Sequence, residues 1–220
     1  MDDKDFEKLV FGMAHQIRNP CAIIKANANV ILEQENLSPE SRRSMESIWN
    51  GVKYLEARLD EFVEFSKPVI LKPEPFPLKA FINQSCAVFK EQCQLKRTKI
   101  SCNVEKDIVL GKADPNQLAL ALLNVVLNAV ESIKEEGTII LEGKSDGNNA
   151  VITVSDTGSG IHPRDLPEVF SPFYSTKPNS IGIGLGVARR IIQAHQGRIG
   201  IESSLGHGTV VTIVLPLNPR

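Results

Sequence analysis

No stretch of the 220-residue sequence approaches the roughly 18–20 consecutive apolar residues of a membrane span, and the N-terminus has no apolar signal-peptide core. Charge of one sign is also lacking. The 25 Lys and Arg against 26 Asp and Glu leave a net charge of −1, which argues against electrostatic attachment to nucleic acid or an anionic membrane. Cysteine is sparse: Cys21, Cys86, Cys93 and Cys102 have no metal-site spacing and read as reduced cytosolic thiols, mostly buried. Glycine is nearly missing from the front half, with three of 15 before Gly137 and twelve from there onward. A helical front and a back half of sheet plus glycine-rich loop follow. The 42% hydrophobic content suffices for one large domain or two small ones.

Apolar residues recur three and four apart at Phe6, Val10, Met13, Ile17, Cys21, Ile24, Ala28 and Ile31, the period of an amphipathic helix over about Asp5 to Glu35. His15 lies two residues from both Met13 and Ile17. At about 100° per residue it points away from that seam, toward water. Asn19 shares its face, Gln16 and Arg18 flank it, and Pro20 is expected to bend or loosen the helix one turn on. Taken alone, His15 reads as a solvated side chain on a bundle helix with an incidental proline.

Ser38–Pro39 has the form of an N-cap and first helical position. Met45, Ile48, Val52, Leu55, Leu59 and Phe62 then mark a second helix to about Phe65. One hairpin cannot bury both stripes together with Trp49 and Phe62. Two copies closing a four-helix bundle would, so a homodimer through residues 1–66 is expected. The alternative is a monomeric helical subdomain covered by the C-terminal part. Four prolines within Ser66–Pro77 make 67–77 the expected linker.

Residues 78–220 alternate helices (Leu78–Gln94, 115–133, Gly184–His195) with strand-like runs at Lys99–Val104, Ile108–Gly111, Thr138–Lys144, Ala150–Ser155, Arg198–Ser203 and Thr209–Leu215. That order predicts a two-layer α/β sandwich, with Gly197 closing its last helix.

Helix 115–133 is apolar almost all round, yet Asn124, Asn128 and Glu131 interrupt it on one stripe. Buried amides left unpaired cost on the order of 1–3 kcal/mol each. The stripe therefore either bonds to a neighbouring loop or lines a pocket offering amide oxygens to a hard cation such as Mg²⁺. Asp156, with Gly158 and Gly160 behind it, sits at a strand end and suits a hydrogen bond to an exocyclic amine such as adenine's, or is a plain turn. Gly182, Gly184, Leu185 and Gly186 lead into a helix whose first N–H groups suit phosphate. The long loop between, with Phe170, Phe173, Tyr174 and Lys177, has the length of a lid, and Lys177 can meet a phosphate as a point charge or simply be solvated.

In this order, H-x-x-R-N-P (His15 to Pro20), N-x-x-x-N-A (Asn124 to Ala129), D-x-G-x-G (Asp156 to Gly160), F-x-x-F (Phe170 to Phe173) and G-x-G-x-G (Gly182 to Gly186) resemble the H, N, G1, F and G2 boxes of two-component sensor histidine kinases. The wording RNP, NAVES and SPFYSTKP is most similar to the nitrogen-regulator-type subgroup. The resemblance implies a dimerising hairpin with a phosphoacceptor histidine over 1–66, followed over 78–220 by an ATP-binding domain of the Bergerat (GHKL) type. It implies ATP and Mg²⁺ as cofactors: Asn128 at the metal, Asn124 near the phosphates, Asp156 on the adenine amine, and the glycines of 182–186 shaping the lid. His15 would attack the γ-phosphate and pass the phosphoryl group to an aspartate of a response regulator receiver domain. Asn124 stands where the ATP-hydrolysing branches carry a glutamate to activate water, which favours a kinase. Kinases of this type usually carry Glu or Asp after the phosphoacceptor. Gln16 stands there and cannot accept a proton, so slow or conditional autophosphorylation is expected, while Asn19 matches the phosphatase signature. The alternative is a nucleotide-binding dimeric scaffold or phosphatase with weak kinase activity. With only about ten residues before the motif segment, the expected chain is a cytoplasmic core signalled by a partner or excised from a longer sensor.

Overall fold

The structure is a computed structural model that describes residues 3–34, 36–94, 97–105, 108–177 and 180–217. It divides into two compact units, Met1–Pro68 and Val69–Arg220. Among the described residues no helix is long and apolar enough to cross a membrane.

The first unit is a hairpin of α1 (Asp3–Leu32) and α2 (Pro39–Ser66). Helix α1 continues through Pro20, where a bend or loosening was expected. Ser38 Oγ accepts a hydrogen bond from Ser41 N at 3.1 Å and caps α2, as its sequence predicts. Arg42 donates to the carbonyls of Leu32 (3.1 Å) and Gln34 (3.4 Å), satisfying acceptors left at the end of α1. The ion pairs Arg18–Asp60 (2.6 Å) and Lys25–Glu56 (2.7 Å) tie rising positions on α1 to falling positions on α2, the signature of antiparallel helices.

The apolar seam of α1 is not buried as one stripe. Val10, Ala14, Cys21 and Ala28 are buried, Val10 and Ala14 against Val63, Leu59 and Phe62 of α2. Met13, Ile17 and Ile24 stay 48%, 41% and 45% exposed, and Ile48 and Leu55 of α2 are exposed as well. Two helices approach closely where side chains are small, which turns the larger ones outward. The side chain of Phe6 and the position of Glu35 lie outside the described residues.

The second unit begins inside the expected linker. Glu74–Pro77 forms β1, paired antiparallel with β3 (Val109–Ala113), for example Phe76 with Leu110. Prolines are tolerated there because an edge strand leaves some N–H positions without ladder partners. Helix α3 (Leu78–Gln94) follows, then β2 (Thr98–Val104), β3, α4 (Pro115–Ser132), β4 (Gly137–Asp146), β5 (Asn149–Asp156), α5 (Gly184–Ala194), β6 (Arg198–Ser204) and β7 (Gly208–Pro216). Five strands form one sheet in the order β2-β4-β5-β7-β6, antiparallel except for β2 beside β4. The strands alternate buried and exposed positions, as with Ile139 and Leu141 against Ile140 and Glu142. One sheet face therefore packs on Ile82, Leu122, Val126 and Ile191 of the helices, a two-layer α/β sandwich. At the end of α5 the left-handed position falls on Gln196 (φ 59°), not Gly197. Gly197 instead gives close approach, since a Cβ there would stand 2.6 Å from the Val214 carbonyl oxygen.

Asp114 joins three parts of this unit. Its Oδ1 accepts from Asn116 N (2.9 Å) and Gln117 N (3.1 Å), capping α4, and its Oδ2 accepts from Lys72 N (2.7 Å). Its own N–H donates to Nε2 of buried His195 at 2.9 Å, and His195 Nδ1 lies 2.8 Å from the Ile191 carbonyl oxygen. Because Nε2 must accept, the ring proton is on Nδ1. Burial pushes the Asp114 carboxyl up, but the three backbone N–H bonds from Lys72, Gln117 and Asn116 outweigh it and hold the group below the ordinary aspartate range.

Asp114→Ala is expected to lower the unfolding free energy of the chain by about 2 kcal/mol in urea titration. A carboxyl depressed on folding stabilises fully above its unfolded pKa of about 4 and loses that contribution as pH falls through the folded value. Asp114→Asn is therefore expected to flatten the loss of stability on acidification below about pH 4.

Candidate active site

A cavity of about 290 Å³ opens in the second unit between α4, the ends of β5 and β7, the loop after β5, and the start of α5. Asn128, Asp156, Gly160, Lys177, Gly182, Gly184 and Leu185, all singled out in the sequence, line it. Asn124, Gly158 and Gly186 do not line it, and His15, Gln16 and Asn19 belong to the helical hairpin. His15, Gln16 and Asn19 are exposed there.

The asparagines of α4 are half-buried rather than buried, and their amides bond one turn back. Asn124 Nδ2 donates to the Leu120 carbonyl (2.9 Å), and Asn128 Nδ2 donates to the Asn124 carbonyl (3.1 Å). Tying down the amide nitrogen turns each Oδ1 outward. That of Asn128 accepts from Lys177 Nζ at 3.4 Å, so this oxygen already faces a cation. That of Asn124 stands 3.0 Å from where a Cβ on Gly184 would be, so Gly184 lets the start of α5 approach α4.

Asp156 Oδ1 accepts from Gly158 N (2.8 Å) and from Ser132 Oγ (3.1 Å). Burial pushes this carboxyl up, and its hydrogen bonds only partly offset the effect. Around it the wall is apolar: Val125, Ala129, Val154, Ile201 and Val211. An apolar slot ending in a fixed hydrogen-bond acceptor fits a flat heterocycle that carries an amine. Gly158 serves Asp156 twice, by its N–H and by leaving room for Ser132, because a Cβ there would fall 1.8 Å from Ser132 Oγ. Ser132, absent from the sequence-derived set, lies one turn beyond Asn128 on the same stripe, and extending that spacing would have found it.

The loop after β5 is anchored at several points. Tyr174 Oη donates to Asp165 Oδ1 at 2.7 Å, and that bond pushes the phenol up. Phe173 (φ 69°) donates its N–H to the Gly182 carbonyl at 3.0 Å, and the Arg189 guanidinium stands over the Phe170 ring at 5.9 Å. The N-cap of α5 is Ile183, which supplies no side-chain cap, so the first N–H groups of α5 have no capping side-chain oxygen from that residue. Such an end suits phosphate oxygens. Gly182 has φ 74°, and a Cβ there would stand 2.1 Å from the Tyr174 carbonyl oxygen. Gly182→Ala is expected to loosen this loop at a cost of about 1–3 kcal/mol, read as faster amide exchange over residues 173–182 with the β-sheet amides unchanged.

The family described as His Kinase A (phospho-acceptor) domain matches residues 7–68. The family described as histidine kinase-, DNA gyrase B-, and HSP90-like ATPase matches residues 113–219. Sensor histidine kinase ZraS of Salmonella typhi is 34% identical over 213 residues, which cover 96% of this chain and 46% of that protein. The chain thus spans about half the length of the curated relatives it matches. Histidine kinase ThkA, solved in complex with response regulator protein TrrA, superposes over 96% of this chain and 62% of its own, with a TM-score of 0.70 and 26% identity. Full-length ShkA, solved in complex with AMPPNP, shares the fold over 95% of this chain and 45% of its own, with a TM-score of 0.73 and 22% identity. With a phospho-acceptor domain followed by an ATPase domain of the kinase, gyrase and HSP90 type, the chain carries a two-component histidine kinase core.

Proposed function

We propose that this core transfers the γ-phosphoryl group of ATP to His15 and passes it to an aspartate of a response regulator receiver domain. The observation that carries the reading is the cavity, where Asn128, Asp156, Lys177 and the start of α5 meet in one place. In this reading Asp156 takes the adenine amine against the apolar wall, while Lys177 and the N–H groups of 184–186 face the phosphates. Asn128 Oδ1, already turned toward an ammonium, would hold Mg²⁺. When bound, that ion neutralises phosphate charge. Asn124 approaches the phosphates beside Gly184.

An exposed imidazole nitrogen on a helix is a competent nucleophile. His15 forms a bond to the γ-phosphorus, the bond to the β–γ bridging oxygen breaks, and ADP leaves with the electron pair. The other ring nitrogen gives its proton to solvent water, to which His15 is exposed. Gln16 cannot take that proton but can orient the ring by hydrogen bonding. Asn19 is exposed on the face of His15, where an amide can position water against a regulator's phospho-aspartate.

The hairpin pairs with a second copy through the exposed face of Met13, Ile17, Ile24, Ile48 and Leu55, closing a four-helix bundle. The motif wording RNP, NAVES and SPFYSTKP supports the nitrogen-regulator-type subgroup. Four free cysteines agree with a reducing, cytoplasmic setting. A receiver domain as partner is supported by the solved complex of the related ThkA with its response regulator. Gln16 favours a second reading, a nucleotide-binding dimeric scaffold or phosphatase with weak kinase activity.

With γ-labelled ATP and Mg²⁺, acid-labile and alkali-stable label is expected on the protein, abolished in His15→Ala and formed faster in Gln16→Glu. An initial rate that Gln16→Glu leaves unchanged or lowers would remove the role assigned to position 16. Nucleotide binding with no label on either protein would leave the scaffold reading standing. In sedimentation velocity the chain is expected to run as a dimer, and Ile17→Glu as a monomer that keeps its helical circular dichroism.

A further inference from the structure

Glu131 lies on the cavity wall of α4, three residues after Asn128, and its Oε2 accepts a hydrogen bond from Lys177 Nζ at 2.6 Å. The same ammonium stands 3.4 Å from Asn128 Oδ1. One lysine from the loop thus reaches both Asn128 Oδ1 and Glu131 Oε2, neighbours on the cavity side of α4. The Lys177 backbone is shaped for this. Its N–H donates to Ser175 Oγ at 3.1 Å, and its carbonyl accepts from Ser180 N at 3.3 Å, which turns the chain tightly about the residue. The loop's anchors at Tyr174–Asp165 and Phe173–Gly182 join the loop to itself, whereas Lys177 bridges to α4.

The two side chains are 37% and 47% exposed, so solvent screens the pair and it adds little to global stability. Its consequence is positional: it decides where the ammonium is before any ligand arrives. A triphosphate carries several negative charges where Glu131 carries one, and it can take the lysine over.

We propose that Glu131 is a positioning residue that latches the loop: with no nucleotide bound, its carboxylate parks Lys177 against α4 beside the Asn128 oxygen, and a triphosphate draws the ammonium off. This rests on the nucleotide reading of the cavity. The latch responds to phosphate and not to the base, so adenosine leaves Lys177 on Glu131. Part of the binding free energy of the triphosphate goes into parting the pair, so affinity is held below what the same cavity reaches without Glu131.

Hydrogen exchange on the nucleotide-free full chain tests the latch directly. Glu131→Gln is expected to speed exchange across 173–177 by about threefold, the size an exposed ion pair supplies, with the sheet amides unchanged. Calorimetry with AMPPNP and Mg²⁺ tests its consequence. Glu131→Gln is expected to bind about threefold tighter, and the gain should disappear in the Lys177→Met background and shrink in high salt. Adenosine should bind both proteins equally. Unchanged exchange in Glu131→Gln overturns the latch alone. A gain that persists in Lys177→Met also overturns it, since Glu131 would then act by simple repulsion of phosphate. Faster exchange in Glu131→Gln with no AMPPNP binding by the wild-type chain overturns the nucleotide reading instead, and with it the nucleotide as the latch's trigger.

Discussion

The four hydrogen bonds at Asp114 are the constraint from which the second unit takes its alignment. They start α4, hold the segment at Lys72 that leads into β1, and through His195 fix the far end of α5. Helix α5 has 11 residues, so pinning one end of so short a rod also settles where its other end falls. That other end carries Gly184, which faces Asn124 and Asn128 on α4. Both walls of the cavity are therefore set from a point far from its mouth. The neutral tautomer of His195 belongs to this arrangement, because one nitrogen must accept while the other donates.

The hairpin obeys a different rule. Two helices alone can bury only one narrow seam, and this pair fills it with Val10, Ala14 and Val63. The larger side chains are left outside, on a face whose removal from water needs another surface. Trp49 shows the compromise locally: it is half-buried, with the Lys25 and Lys53 ammonium groups 5.7 and 5.2 Å from its ring. Ion pairs across the hairpin, Arg18–Asp60 and Lys25–Glu56, set its register without adding much core.

Within the cavity, polar groups are held by neighbours before any ligand is considered. Asp156 is positioned by Ser132 and Gly158, Asn128 by its own helix, and Lys177 by a tight turn and by Glu131. Preorganised groups lose little freedom on binding. The loop between Asp156 and Ile183 combines that order with the capacity to change, because its firm anchors and its bridge to α4 are separate contacts.

Much of the architecture was legible in the sequence because local rules write it plainly. Three-four spacing announced both hairpin helices, Asp114–Pro115 opened α4, and Leu78–Gln94 was recovered with its bounds. The glycine-rich boxes, the asparagine stripe and the loop lysine pointed to seven of the residues that line the cavity. What stayed hidden involves partners far apart in the chain. β1 was hidden inside a proline-rich stretch because only pairing with β3 makes it a strand. The left-handed turn at Gln196 looked like a glycine's, since sequence cannot tell a glycine needed for its φ from one needed for room beside Val214. A period of 3.6 marks an apolar face but not which part of it a neighbour covers, so the division between Ala14 inside and Met13 outside waited for packing. Lys177 and Glu131, 46 residues apart, carry no mark in the sequence of belonging together. Local periodicity and turn chemistry determined the elements, the two units and the chemical types at the site. Only the folded chain decided which charges meet, because pairing depends on distance in space.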